Sequence, residues 1–160
     1  MLDELTDFRP LPDLAALPPV LAALLAWWER KREEEARLPR REDVNPAEIP
    51  RLLPHIALLD ILRDPLDYRY RLIGTRLVET MGGERTGKRM REVMDPPAIE
   101  GTVMLMTRLI ETREPVAFTG RLFWLRKEYL GFHALVLPLS STGEEIDMAV
   151  MGVEFGQPEE

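Results

Sequence analysis

The order of periodicities along this chain predicts an α+β fold with a five-stranded antiparallel sheet. Three observations carry the expectation. Residues 56–62 (IALLDIL) and 68–73 (YRYRLI) read as two strands joined by a short turn built on Asp64-Pro65. Helical spacing then runs from Thr75 to Thr112. Three more strands follow, at residues 116–125, 129–139 and 146–155, with connections of hairpin size. A chain of 160 residues with 45% hydrophobic content suits one domain with a core of its own.

Taken in order, residues 1–19 hold four prolines and read as a loose arm or extended lead-in. Pro19 fits the first turn of a helix, where its missing N–H costs nothing. Val20, Leu21, Leu24, Leu25 and Trp28 then share one face. From Glu29 the sequence ERKREEEAR turns charged, and the i,i+4 pairs Lys31/Glu35 and Glu33/Arg37 support a solvated helix face. Adjacent Trp27 and Trp28 are not both expected to point inward from so narrow a stripe. Leu21, Leu24, Trp27 and Trp28 are therefore the candidate surface for pairing with a second copy. Residues 20–54 comprise this helix and a connector in which Pro39, Pro46, Pro50 and Pro54 forbid a long helix. Residues 55–156 form the core domain, and 157–160 a short tail.

The stretch 68–87 organises the rest. Tyr68, Tyr70 and Leu72 alternate with Arg69, Arg71 and Ile73. Gly74-Thr75 breaks the strand, with Thr75 placed to cap a helix striped by Leu77, Val78 and Met81 and ended by Gly82-Gly83. A short helix spans 88–94. Asp95-Pro96 opens a longer one, whose Ile99, Val103, Met106 and Ile110 face the core. In the last three strands both faces carry apolar groups, as in a sheet covered on both sides.

The blocks RYRLIGT and GGERTGKRM, preceded by PRREDVNPAEIPRLLPHIALLDI and followed by ALVLPLSSTGEEIDMAVMG, resemble the bacterial single-domain PAS family PAS_5 in content and order. The similarity spans roughly residues 27–155. It implies helices across one face of the sheet, with the N-terminal helix or a partner covering the other. It also implies a small-ligand pocket, and the length of the chain leads to the expectation that any signal passes through a separate protein. On that basis Arg71, Thr75, Met94, Val103, Met106, Ile110, Phe118 and Phe132 are candidate pocket residues. Arg71 is expected either to reach solvent or to pair with Asp60 or Glu79, unless its planar fork anchors a ligand anion.

Composition narrows the function. A net charge of −7 argues against nucleic acid as a partner. With no cysteine there is no disulfide, thiolate nucleophile or Cys-based metal site. The relatives that bond flavin or another chromophore through a cysteine are also excluded. Neither a secretory leader nor a membrane span is expected, since the apolar run 14–28 is short and contains Pro18-Pro19. The expected location is cytoplasmic.

Several signals mimic chemistry. Gly82-x-x-x-x-Gly87-Lys88 has Walker A spacing, but Arg89 stands where a magnesium-binding hydroxyl belongs, and no buried strand precedes the glycines. Arg85, Lys88, Arg89 and Arg91 read as a solvated basic cluster. The two histidines, His55 and His133, lack any metal-binding spacing, so no metal site is expected. The resemblance places a haem-binding histidine on the long helix, which has none here. No cofactor is expected, with His133 the one alternative axial haem ligand. Met90, Met94, Met104, Met106, Met148 and Met151 fill either an irregular core or a pliable pocket. Two readings follow: a ligand-binding sensor that forms a homodimer and signals to another protein, or an interaction module with a filled core. An enzyme is a distant third, because no catalytic constellation can be assembled.

Overall fold

The computed structural model describes residues 4–81, 83–94, 96–124 and 127–156. The predicted tail, Gly82 and Asp95 lie outside them. Among the described residues six strands, not five, form one antiparallel sheet in the order β1-β4-β5-β6-β2-β3. They are β1 (Glu4–Pro10), β2 (Ile56–Leu62), β3 (Asp67–Ile73), β4 (Val116–Trp124), β5 (Lys127–Leu139) and β6 (Met148–Phe155). The helices are α1 (Pro19–Glu35), α2 (Thr75–Met81), α3 (Met90–Val93) and α4 (Pro96–Thr112).

The extra strand decides between the two readings of residues 1–19: residues 4–10 are an extended lead-in that joins the sheet, not a loose arm. Glu4 to Pro10 pairs with β4 from Phe123 to Phe118, and the Leu11 amide continues the ladder to the Ala117 carbonyl at 2.8 Å. Pro10 ends the strand at the sheet edge, where a missing N–H is tolerated.

The α1 helix crosses one face of the sheet, over β5 and β6. Leu21, Leu24, Trp27 and Trp28 are all buried, at 0–1% exposure. This overturns the expectation that they form a surface for a second copy, and that the two tryptophans cannot both turn inward. Trp28 faces the sheet and donates its Nε1–H to the Pro138 carbonyl at 3.0 Å. The connector then covers a second flank of the helix. Its Leu38, Val44 and Ile49 join the same buried cluster, and Lys31 ties it to α1 through Glu48 at 2.9 Å. Two covers, the sheet and the connector, bury a wider arc of helix than the single stripe visible in the sequence.

Close approach of α1 depends on Gly152. A Cβ there would stand 2.6 Å from Leu24 Cδ2 and 2.9 Å from Leu21 Cδ2. At the outer rim the Arg32 guanidinium lies 5.2 Å from the centre of the Trp28 ring and reaches Glu114 with both carboxylate distances at 2.9 Å. Ion pairs this exposed contribute well under about 1 kcal/mol.

On the opposite face α4 packs against β1, β4 and β5 and α3 against β3, while α2 meets the 3₁₀ turn (Leu53–His55) that leads into β2. Gly74 is required at the start of α2, because a Cβ would collide with the Leu53 and Pro54 backbone. Among the described residues no helix is long and apolar enough to cross a membrane.

Candidate functional site

Strand alternation sends odd-numbered residues of β6 (Ala149, Met151, Val153) and even-numbered residues of β5 (Phe132, Ala134, Val136) to the face beneath α4. Leu59 and Ile61 of β2, Tyr68 and Tyr70 of β3, and Val116 and Phe118 of β4 continue the same face. Across from them α4 presents Ala98, Thr102, Leu105, Met106 and Leu109. The two surfaces do not meet fully. Between them lies a cavity of about 110 Å³ with an overwhelmingly apolar wall.

Small side chains create the space. Ala134 and Ala149 on the sheet and Ala98 on the helix stand where larger residues would close it. One end is aromatic. Phe118 and Phe132 pack edge to face with centroids 5.8 Å apart, and Phe155 lies 6.5 Å beyond Phe132.

The other end is polar. The Tyr68 and Tyr70 hydroxyls lie 3.1 Å apart and their rings meet edge to face at 5.2 Å. Burial, followed by the neighbouring Tyr70, pushes the Tyr68 hydroxyl well above the usual tyrosine range, although the Arg85 guanidinium acts in the opposite sense. Tyr68 is therefore a neutral hydrogen-bonding group at any ordinary pH.

Arg85 reaches this end because the loop after α2 is stitched to the edge of β3. The Tyr70 amide donates to the Lys88 carbonyl at 3.0 Å, and the Gly87 amide donates to the Tyr70 carbonyl at 2.7 Å. Gly87 supplies a φ of +86° in the turn closed by the Lys88 amide on the Arg85 carbonyl. Glu84 organises the same turn by accepting from the Arg85 and Thr86 amides at 3.0 Å each, and from the Thr86 hydroxyl. These bonds hold its carboxyl below the ordinary range, with the Thr86 hydroxyl the foremost cause.

Four of the eight residues expected in a pocket line this cavity: Met94, Met106, Phe118 and Phe132. Val103 and Ile110 pack against the core without reaching it, because the inward stripe of α4 is turned about one residue toward Ala98 and Thr102. Arg71 and Thr75 are exposed and lie off the cavity. In β3 the register slips between Leu58/Leu72 and Leu59/Tyr70, leaving Arg71 as the extra residue of a bulge. Arg71 and Leu72 consequently both face outward. The Arg71 guanidinium reaches Asp60 at 3.5 Å, beside Arg69 at 3.6 Å. It pairs with the expected carboxylate and does not anchor a ligand in the cavity.

Arg85 departs from the expected solvated basic cluster: it is 8% exposed, while Lys88, Arg89 and Arg91 are exposed. The sequence did hold its signal: a turn sequence, ERTG, lies one short helix after a strand with two inward tyrosines. His133 alternates with Phe132 and Ala134, so it faces away from the cavity, and a haem seated there would not meet it. His55 sits in a 3₁₀ turn leading into β2.

The chain thus combines a hairpin, helices and three long strands with a cavity under the long helix. A family model described as PAS domain, PAS_5, matches residues 17–153. The chain belongs to the PAS_5 family of PAS domains. The match begins after β1, so the sixth strand of this PAS domain lies outside the family pattern. No curated protein matches the chain. Membership carries a sensory or signalling role, since PAS domains are sensory modules and are typically not enzymes.

Proposed function

We propose that this PAS domain is a non-catalytic cytoplasmic sensor that holds a small apolar or amphipathic molecule beneath α4 and reports its presence to a separate protein. One observation supports the reading above others. The core leaves about 110 Å³ open where Ala98, Ala134 and Ala149 line the space beneath α4. Interiors tolerate few voids larger than a water molecule, and apolar ones of this order stay dry and take up apolar guests. Met94, Met106 and Met151 line the space, and their flexible thioethers adjust to a guest at low cost.

Occupancy acts on α4, which meets the sheet across the cavity. Partner contact falls to the outer side of β2 and β3, where the bulge leaves Leu72 54% exposed beside a groove that includes Leu58 and Ile56. A signalling protein is the proposed occupant of that surface. Homodimerisation is the alternative, and it would use this surface and not α1.

Native mass spectrometry of the freshly purified chain tests the reading. A retained mass that dissociates on denaturation, and is lost in Ala149→Leu, is the expected result. A bare-chain mass together with full partner binding by the filled variant would favour a pure interaction module.

A further inference from the structure

The cavity is smaller than the binding sites of most cofactors and is polar at one end only, and these two features together restrict its guest. Drug-sized ligands and cofactors occupy roughly 300–1,000 Å³. A void of about 150 Å³ is known to hold one benzene molecule. The space here, about 110 Å³, is on the scale of a single ring. Phe118 and Phe132 at the far end present an edge-to-face pair suited to an aromatic guest, and Met106 adds a polarizable sulfur to the cavity wall.

The near end supplies direction. Tyr68 is 3% exposed and lines the void, and its hydroxyl shares one proton with the Tyr70 hydroxyl across 3.1 Å. A tyrosine hydroxyl both donates and accepts, so the Tyr68 oxygen retains bonding capacity after that contact. An oxygen on the guest, placed at this end, would use it.

We propose, on the reading of the cavity as a ligand site, that its guest is a one-ring aromatic molecule carrying a single oxygen function. The ring lies between Phe118, Phe132 and Met106, and the oxygen meets the Tyr68 hydroxyl. A phenol and an aromatic carboxylate share this chemistry. Arg85 at the same end separates them, since a guanidinium favours the anion.

The test titrates the full chain, stripped of any retained mass, with benzene, phenol and benzoate, followed by calorimetry and by NMR shifts. Phenol or benzoate should bind about five- to tenfold more tightly than benzene, the contribution of one hydrogen bond. Tyr68→Phe should erase that preference while leaving benzene affinity within about twofold. Ala149→Leu, which keeps both tyrosines, should lose all three guests and serves as the check if Tyr68→Phe folds poorly. Preference for benzoate over phenol assigns the anion, and the reverse assigns the neutral alcohol. Equal binding of benzene and the oxygenated rings, or a preference that survives in Tyr68→Phe, overturns the proposal. Exclusion of all three rings by a chain that arrives with a different bound mass overturns it too, yet leaves the sensor reading standing. Exclusion of all three with no retained mass removes both.

Discussion

The two faces of the sheet use small residues for opposite ends. On the α1 face, Gly152 lets a helix sink until Leu21 and Leu24 occupy the place of a Cβ. On the cavity face of the same strand, Ala149 stands under α4 and the space above it stays open. A small side chain marks tight contact in one case and a void in the other. What differs is the opposing element. Two tryptophans and two leucines, pressed between sheet and connector, are buried on the first side. On the second, α4 turns Ala98 and Thr102 inward, and nothing large fills the middle. One face holds the domain together, and the other is left able to respond.

Mutations can break that contrast. Trp28→Ala should have the largest effect, a loss of about 3–5 kcal/mol in chemical denaturation, because a buried ring and its bond to Pro138 disappear together. Gly152→Ala should cost about 1–3 kcal/mol through overpacking under α1. Ala149→Val, a similar enlargement three residues away on the opposite face, should change stability by less than about 1 kcal/mol. Equal penalties for the last two would show that the cavity is not open.

The smallest effects concern pH, and they too separate the faces. On the α1 side, Asp43 is drawn up by burial but pulled further down by the Arg40 amide at 2.8 Å and Arg37 at 3.1 Å, ending below 3.8. A carboxyl depressed by folding contributes stability above its unfolded value. That contribution should therefore fade as the pH falls below about 4, and Asp43→Asn should flatten this acid limb. On the cavity side Tyr68 is raised above 10.0, mainly by burial. The folded state resists its ionisation, so this contribution is present below about pH 10 and lost as the pH rises beyond it. Tyr68→Phe should weaken the alkaline limb of a pH–denaturation series while leaving the acid limb intact.

Much of the architecture was legible from residue spacing. The β2–β3 hairpin, the long α4 and the three final strands follow from alternation, helical stripes and proline or glycine breaks, all set by neighbours within a few residues. The pocket was half legible. Met94, Met106, Phe118 and Phe132 could be nominated because large apolar residues declare themselves. Ala98, Ala134 and Ala149 could not, since a small residue has no visible preference for a void. The bulge at Arg71 turned Leu72 to the outer face against its apparent alternation with Tyr68 and Tyr70.

By itself, then, the sequence determined five of the six strands and the main helices, the lack of thiol chemistry, and the family pattern. The tertiary structure alone decided that both tryptophans are buried, that residues 4–10 complete a sixth strand, and that Arg85 and the tyrosine pair share one end of a cavity. The division has a physical cause. Periodicity is a property of neighbouring residues, whereas a void, a second cover on a helix and a polar end are made by groups that meet only after the chain has closed on itself.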